Sequence, residues 1–207
     1  MHAGSDYTGP DAAARNLVAE LSDILSEFAG QCAIIGGMAY NFWREPRFTK
    51  DVDFTLIADR TRFAQLEQRM VEAGYQIDRI QNEDEPSGPC FVRFTQPGTQ
   101  KIVEFLSAKT EFQELLIERA VKLGPEHRLR VATPEDVVVL KLIANRPQDQ
   151  ADAINLGLIE GLDWECVERW SEVWDIGDRL GHQRAAVDAE QKRLADLRAD
   201  DPSQTGQ

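Results

Sequence analysis

The stretch that decides the fold runs from residue 34 to residue 56 and reads IIGGMAYNFWREPRFTKDVDFTL. An apolar run is followed by two adjacent glycines, a short mixed segment, and two aspartates one residue apart. Asp51 and Asp53 lie in what otherwise resembles a buried strand, and burying a carboxylate is costly unless it is paired or binds a metal. The aspartate pair therefore indicates a site within the strand.

The strand spacing of the two aspartates predicts a metal site. Successive side chains of a strand point to opposite faces, so Asp51 and Asp53 share one face, with Cα atoms roughly 7 Å apart, while Val52 and Phe54 enter the core. Magnesium prefers carboxylate oxygen and keeps positions open for substrate phosphate. Two such ions can hold the attacking and leaving oxygens of an in-line displacement. We therefore expect Mg²⁺, as two ions, at this pair.

The two glycines before the aspartates predict a phosphate cradle. Gly36 and Gly37 lie between a predicted strand and a short helix, where glycine lets backbone N–H groups approach an anion. Arg47 and Lys50 could contact phosphate from the following segment. A strand–glycine–helix segment occurs in many folds, and an isolated D-x-D is most often a turn or a solvated edge. The ordered combination of these parts is what makes the pattern specific.

Composition bounds the class of protein. The chain has 207 residues, 42% hydrophobic and 29% charged, with a net charge of −13, which disfavours passive binding to nucleic acid or anionic membrane. The first residues lack a secretory pattern and no run is long enough to span a membrane, so we expect a cytoplasmic protein. Its cysteines are widely spaced, which favours reduced, buried thiols over zinc or disulfides; they are Cys32, Cys90 and Cys166.

Periodicity predicts an α+β fold, a small mixed sheet packed by helices and followed by a helical half. The predicted domains are a catalytic core over 1–110, a helical region packed on it over 111–182, and a charged, partly disordered tail over 183–207. We expect strands at 32–36, 52–57, 75–80, 90–96, 101–107 and 127–132, and helices at 10–30, 38–43, 60–74, 110–123, 133–146, 149–160 and 164–180.

With these residues in view, the chain resembles the DNA polymerase β-like nucleotidyltransferase superfamily. Within it, the segments GGMAYNFWREPRFTKDVDFTL and TPEDVVVLKLIANRPQDQADAINL are most similar to minimal bacterial nucleotidyltransferases related to abortive-infection toxins. The resemblance covers roughly residues 31–180. It implies an enzyme that moves an NMP from an NTP to a hydroxyl acceptor.

The resemblance also assigns roles to individual residues. It implies that Gly36 and Gly37 hold the triphosphate, that Asp51 and Asp53 bind the metals, and that Glu104 is the third carboxylate, a metal ligand and a base toward the acceptor. Relatives more often carry Asp at the place of Glu104, and a polar residue often follows the first glycine, where this chain has Gly37 and then Met38.

The second motif block lies in the helical half. Lys141 is either a surface lysine whose stem lies along apolar residues or a contact to the triphosphate or base. Asp149 and Asp152 either cap the next helix or belong to the site. His127 and His182 have no partner spacing and read as structural or surface residues, and Val167, Trp170 and Trp174 recur as the core face of a helix.

The sequence leaves the identity of the acceptor open. Toxin-like relatives act on tRNA or protein and pair with an antitoxin protein, whereas aminoglycoside nucleotidyltransferases share the start of the motif and modify cationic small molecules. The acidic balance favours a cationic acceptor over bare tRNA. A non-catalytic nucleotide-binding or partner-binding module of the same fold is the remaining alternative.

Overall fold

The computed structural model describes residues 12–123 and 128–199. The chain forms two compact units, Met1–Val137 and Val138–Gln207. The domain boundary at residue 110 stays a prediction, and Pro10 and His127 lie outside the described residues. Among the described helices, none combines the length and the apolar character that a bilayer crossing requires.

The first unit contains all the strands of the described part of the chain. In order its elements are α1 (Ala12–Ile24), a 3₁₀ turn (Ser26–Phe28), β1 (Cys32–Ile35), α2 (Gly36–Trp43), β2 (Asp51–Leu56), α3 (Arg60–Glu72), β3 (Gln76–Gln81), β4 (Phe91–Thr95), β5 (Ile102–Ser107), α4 (Glu111–Arg119), β6 (Val121–Lys122), β7 (Arg130–Val131) and the start of α5 (Pro134–Ala144).

These strands form one mixed sheet with the order β3-β4-β5-β2-β1-β7-β6. β2 pairs in parallel with β5 and β1 in parallel with β7, and the other neighbours are antiparallel. The polar loop and the hairpin predicted from 81 to 107 are present, with β4 and β5 joined across Gly98. The predicted α+β class, with a mixed sheet packed by helices, is confirmed.

The central strands alternate as predicted, and this alternation separates the core from the site. Phe54 and Phe105 stack with ring centroids 5.1 Å apart, and Phe94 meets Phe105 edge-on at 5.9 Å. All three rings are buried, and each contributes on the order of 1.5–3 kcal/mol by leaving water. Asp51 and Asp53 lie on the other face of β2, so the aromatic layer supports the strand that carries them.

The second unit is helical and comprises the rest of α5, then α6 (Pro147–Gly157), α7 (Trp164–Val173) and α8 (Gly177–Ala199). Gly157 permits a close approach of α6 to α8, because a Cβ there would lie 2.6 Å from Cγ2 of Val187. Asp163 caps α7 by accepting a hydrogen bond from the backbone N–H of Cys166 at 3.1 Å.

Two predicted helices were wrong in extent. The helix predicted over 110–123 ends at Arg119, because Val121 pairs with Val131 in the sheet instead. The helix predicted over 164–180 is two helices, separated at Asp175, whose φ of 52° is incompatible with a right-handed helix. As a result Trp174 follows the end of α7 and is 37% exposed, while Val167 and Trp170 are buried as predicted.

Candidate functional site

Three carboxylates meet on the polar face of the sheet. Asp51 and Asp53 project from β2, and Glu104 projects from β5, where it is the direct register partner of Asp53 in the parallel pair. One carboxylate oxygen from each lies within 4.8 Å of those from the other two, and all three residues are half-buried. We refer to these residues as the acidic triad. The structure thus brings together the three carboxylates that the sequence singled out.

Arg93 balances part of this charge. It lies on β4 opposite Glu104, and its guanidinium donates from Nε to Glu104 Oε1 at 2.6 Å and from a terminal nitrogen to the same oxygen. Asp78 lies 3.9 Å from the guanidinium. The hydrogen bond to Glu104, with help from the nearby charges of Asp78 and Asp51, raises the pKa of Arg93. Arg93 donates only to Oε1 of Glu104. No other described residue donates a hydrogen bond to Oε2.

Gly36 and Gly37, which we call the glycine turn, begin α2, and Gly36 lies directly against Asp53. Gly36 begins α2 with a φ of +66°, a left-handed conformation that glycine adopts without steric cost. A Cβ at this position would lie 2.0 Å from Oδ2 of Asp53. Ile35, the N-cap of α2, provides no side-chain hydrogen bond, and the first turn of α2 carries no acidic residue. The positive end of α2 therefore lies beside the acidic triad, where a phosphate would be stabilised.

The loop between α2 and β2 is held in place by a side chain of α2. Asn41 donates to the carbonyl of Arg47 at 2.7 Å and accepts from its backbone N–H at 3.0 Å. The Arg47 guanidinium lies 5.3 Å from the ring centroid of Tyr40. A Cβ at Gly37 would lie 2.7 Å from Oγ1 of Thr49 and 3.5 Å from a terminal nitrogen of Arg47. Arg47 and Thr49 thus line the glycine turn.

The two predicted lysine contacts differ in placement. Lys50 is exposed just before β2 and makes no hydrogen bond or ion pair with the described residues. Lys141 is only 5% exposed, which excludes the surface-lysine alternative. Its ammonium lies 2.8 Å from Oδ1 of Asp149 and 2.7 Å from Oδ2 of Asp152. A nucleotide contact by Lys141 stays a prediction.

Asp149 has one of the two roles proposed for it from the sequence, that of a cap of the next helix, and its membership of the nucleotide site stays a prediction. It lies at the third position of α6, where its Oδ2 accepts from the backbone N–H of Arg146 at 3.3 Å and from Arg146 Nε at 2.6 Å. Burial by itself raises the pKa of Asp149, but the hydrogen bonds from Arg146 and Lys141 outweigh it, and the pKa lies below its ordinary value. Asp149 is therefore a helix cap and half of a buried ion pair.

The donor set of the acidic triad suits a hard divalent cation. All of its ligand atoms are carboxylate oxygens, and magnesium keeps positions for water and phosphate when only a few carboxylates bind it. Histidine or thiolate ligands, which would favour zinc, are absent from the cluster. The residues present therefore fit the predicted magnesium.

Arg93, Asn41 and Thr49 were missed in the sequence. Arg93 had a usable signal, because a hairpin centred between Gly98 and Thr99 places it opposite Glu104, on the same face as the aspartates. Asn41 and Thr49 had no such signal, since their partners are set by the path of the loop rather than by strand or helix periodicity.

Comparison with solved structures supports the fold. An antigenic nucleotidyltransferase-like protein from Paracoccidioides brasiliensis is 14% identical, with 86% of this chain and 94% of that chain covered and a TM-score of 0.51. JHP933 from Helicobacter pylori (15% identity, coverage 92% and 99%) and the antibiotic-resistance factor ANT(2'')-Ia (16% identity, coverage 89% and 96%) both give a TM-score of 0.44. At 14% identity the likeness to the first of these concerns the fold alone, and the other two, with TM-scores below 0.5, carry no argument.

Comparison with curated proteins found no match. A family model, described as "Nucleotidyltransferase of unknown function (DUF6036)", matches residues 13–178. That match spans both motif blocks, the acidic triad and the glycine turn. The chain therefore belongs to this nucleotidyltransferase family.

Proposed function

We propose that this protein is a magnesium-dependent nucleotidyltransferase that moves an NMP from an NTP to a hydroxyl acceptor. The observation that carries the proposal is the meeting of Asp51, Asp53 and Glu104 beside the glycine turn at Gly36. Carboxylates and an uncapped helix end are the complementary halves of a site for a metal-bound triphosphate.

The chain's own residues bind and orient the nucleotide. The start of α2 faces the phosphates with its positive end, and Arg47, held by Asn41, adds a guanidinium beside Gly37. Asp51 and Asp53 would hold magnesium, which when bound neutralises phosphate charge. Catalysis of this kind rests on positioning and charge stabilisation rather than on covalent chemistry with the protein.

In this proposal Glu104 accepts the proton of the acceptor hydroxyl. Oε2 is the oxygen that Arg93 does not engage, and a carboxylate within the triad can take a proton as the hydroxyl oxygen attacks the α-phosphorus. The bond from the α-phosphorus to the bridging oxygen breaks, and pyrophosphate leaves. Arg93 orients Glu104 for that step through its hydrogen bond to Oε1.

Pyrophosphate release from each of the four NTPs with magnesium tests the proposal. Wild type is compared with Asp53→Asn and with Asp84→Asn, which changes an exposed loop aspartate and serves as the matched control. Total tRNA, a protein lysate and an aminoglycoside panel serve as separate acceptors. We expect NTP-selective release that falls by orders of magnitude in Asp53→Asn and is unchanged in Asp84→Asn.

The same experiment separates the remaining alternatives. If calorimetry shows nucleotide binding but no pyrophosphate is released with any acceptor, the result would instead indicate a non-catalytic module of the same fold. A toxin–antitoxin role and an antitoxin partner remain predictions from the motif resemblance, and a cytoplasmic location remains a prediction from the composition of the chain. Growth arrest on expression that Asp53→Asn abolishes, and that a co-expressed neighbouring protein relieves, is the result expected of a toxin.

A further inference from the structure

We propose that residues 44–50, the basic–aromatic loop, bind a single-stranded nucleic acid, with Phe48 as the surface on which one unpaired base stacks. The inference rests on the proposed function, because it names the acceptor class for that site. It selects a nucleic-acid acceptor over a protein or a cationic small molecule.

Phe48 is the residue that prompts the inference. Its side chain is 82% exposed, more than any other large hydrophobic side chain in the described part of the chain. Isolated exposed aliphatic residues are ordinary, but a phenyl ring left almost wholly in water forgoes the gain that burial would bring. Its exposure beside an active site is therefore informative about a ligand.

The basic–aromatic loop presents this ring from an ordered backbone. The paired hydrogen bonds between Asn41 and Arg47 anchor the residue before Phe48, and the Arg47 guanidinium also donates to the carbonyl of Phe48 at 3.2 Å. The Thr49 hydroxyl donates to the carbonyl of Asp51 at 3.3 Å. Because its neighbours are anchored, Phe48 can bind a planar ligand without first ordering the chain.

The side chains of this loop divide between two ligands. Arg47 and Thr49 are half-buried and line the glycine turn, whereas Phe48 and Lys50 are exposed. A triphosphate at the glycine turn would engage the first pair. Phe48 and Lys50 are left for a second ligand, and an aromatic ring with a nearby ammonium is the combination that stacks a base and contacts its phosphate.

The positive charge of the basic–aromatic loop and its short distance from Asp51 agree with a single-stranded nucleic acid that enters the site. Arg44, Arg47 and Lys50 give the basic–aromatic loop three positive charges against one from Glu45, in a chain whose net charge is −13. A local cationic segment attracts phosphate even when the whole protein is acidic. Phe48 precedes Asp51 by three residues, so their Cα atoms are at most about 11 Å apart. A base stacked on Phe48 would thus belong to a nucleotide close to the reacting hydroxyl.

Binding without NTP tests this inference independently of catalysis. Fluorescence anisotropy measures the affinity of the full chain for 5′-fluorescein-labelled 12-mers of oligouridylate and oligothymidylate, and for a 12-base-pair RNA duplex. The variants are Phe48→Ala, Phe48→Trp, Lys50→Gln and, as a control for an exposed apolar residue of the same unit, Val71→Ala; Val71 is 55% exposed.

We expect Phe48→Ala to weaken single-strand binding by about 5- to 150-fold, the range for one stacked base, with Phe48→Trp and Val71→Ala close to wild type. Lys50→Gln should lower the salt dependence by about one unit of slope. The oligonucleotide with the higher affinity shows whether the ligand is RNA or DNA. Either result supports the inference when the binding depends on Phe48.

Three results would overturn it. These are equal single-strand affinity in wild type and Phe48→Ala, preference for the duplex, or a Phe48→Ala defect confined to NTP affinity, which would assign the ring to the nucleotide base.

Failure of the proposed function would give a different set of results. Phe48-dependent strand binding with no NTP turnover would retain this inference and reject the enzyme, whereas turnover on a small-molecule acceptor with no strand binding would do the reverse.

Discussion

Gly36 and Asp53 are in such close proximity that no side chain fits between them: a Cβ on Gly36 would lie 2.0 Å from Oδ2 of Asp53. The glycine turn and the acidic triad are therefore a single structural unit. The left-handed φ of +66° at Gly36 is a second, independent requirement for glycine at this position.

Replacement of Gly36 should consequently affect activity more than stability. In Gly36→Ala the new methyl group displaces the Asp53 carboxylate, and the left-handed backbone adds a strain of about 1–2 kcal/mol. We expect NTP turnover to fall at least a hundredfold while the free energy of unfolding falls by only that strain. Gly30→Ala is the matched control, since nothing lies within 4 Å of its Cβ position. Equal turnover in both variants would contradict the coupling.

Arg93 should lower the affinity of the acidic triad for a divalent ion while it orients Glu104. Its guanidinium is a cation beside the acidic triad, so Arg93→Gln removes a repulsion toward any divalent ion. We expect Mn²⁺, followed by calorimetry or electron paramagnetic resonance, to bind several-fold more tightly and NTP turnover to fall. Arg69→Gln, which removes a surface pair with Glu27, should change neither. Weaker Mn²⁺ binding in Arg93→Gln would mean that orientation of Glu104 outweighs charge.

Lys141 should be important for stability. Lys141→Met removes the buried ammonium that Asp149 and Asp152 share and leaves Asp149 with Arg146, a change that costs on the order of 3–5 kcal/mol. Chemical denaturation should show this loss, and Lys192→Met, which changes an exposed lysine of α8, should show none. Combining Lys141→Met with Asp149→Asn and Asp152→Asn should restore much of the stability. Loss of NTP affinity at unchanged stability would instead support the nucleotide contact.

The lowered pKa of Asp149 predicts a loss of stability in acid. Because the pKa is lower in the folded than in the unfolded chain, the contribution is present above the unfolded value, about 3.9, and is lost as the pH falls through the folded value. Asp149→Asn should therefore be less stable than wild type at pH 7, and the difference should shrink below about pH 4. Urea denaturation at pH 7, 5 and 3.5 measures it. A difference that stays constant with pH would contradict the ionic origin.

Cys32 should resist alkylation in the folded protein. It is fully buried in β1, and burial raises the pKa of its thiol to about 12, partly offset by Arg130, whereas Cys90 and Cys166 are half-buried. With iodoacetamide at pH 8, mass spectrometry should find Cys32 unmodified after the other two have reacted, since the thiolate is the nucleophile. Addition of denaturant should make all three react at similar rates. Early modification of Cys32 would indicate local opening of β1.

Much of the fold and the core of the site could be predicted because their signals are local. The period-two alternation around Asp51 and Asp53 placed both on one sheet face, and the glycines before α2 marked the turn beside them. Glu104 was identified from the family resemblance, and the register of the sheet then set it opposite Asp53. Where local signals competed, prediction failed, as at Val121, which left the predicted helix to pair with Val131.

By itself, the sequence determined the aspartate pair, the glycines beside it and six of the seven described strands, because backbone periodicity and conformational limits act over a few residues. Only the tertiary structure decided that Arg93 engages one oxygen of Glu104, that Lys141 is buried between two aspartates, and that Phe48 is left in solvent. Those outcomes depend on which elements pack together, and the energy of a charge or an aromatic ring depends on its surroundings rather than on its neighbours in sequence.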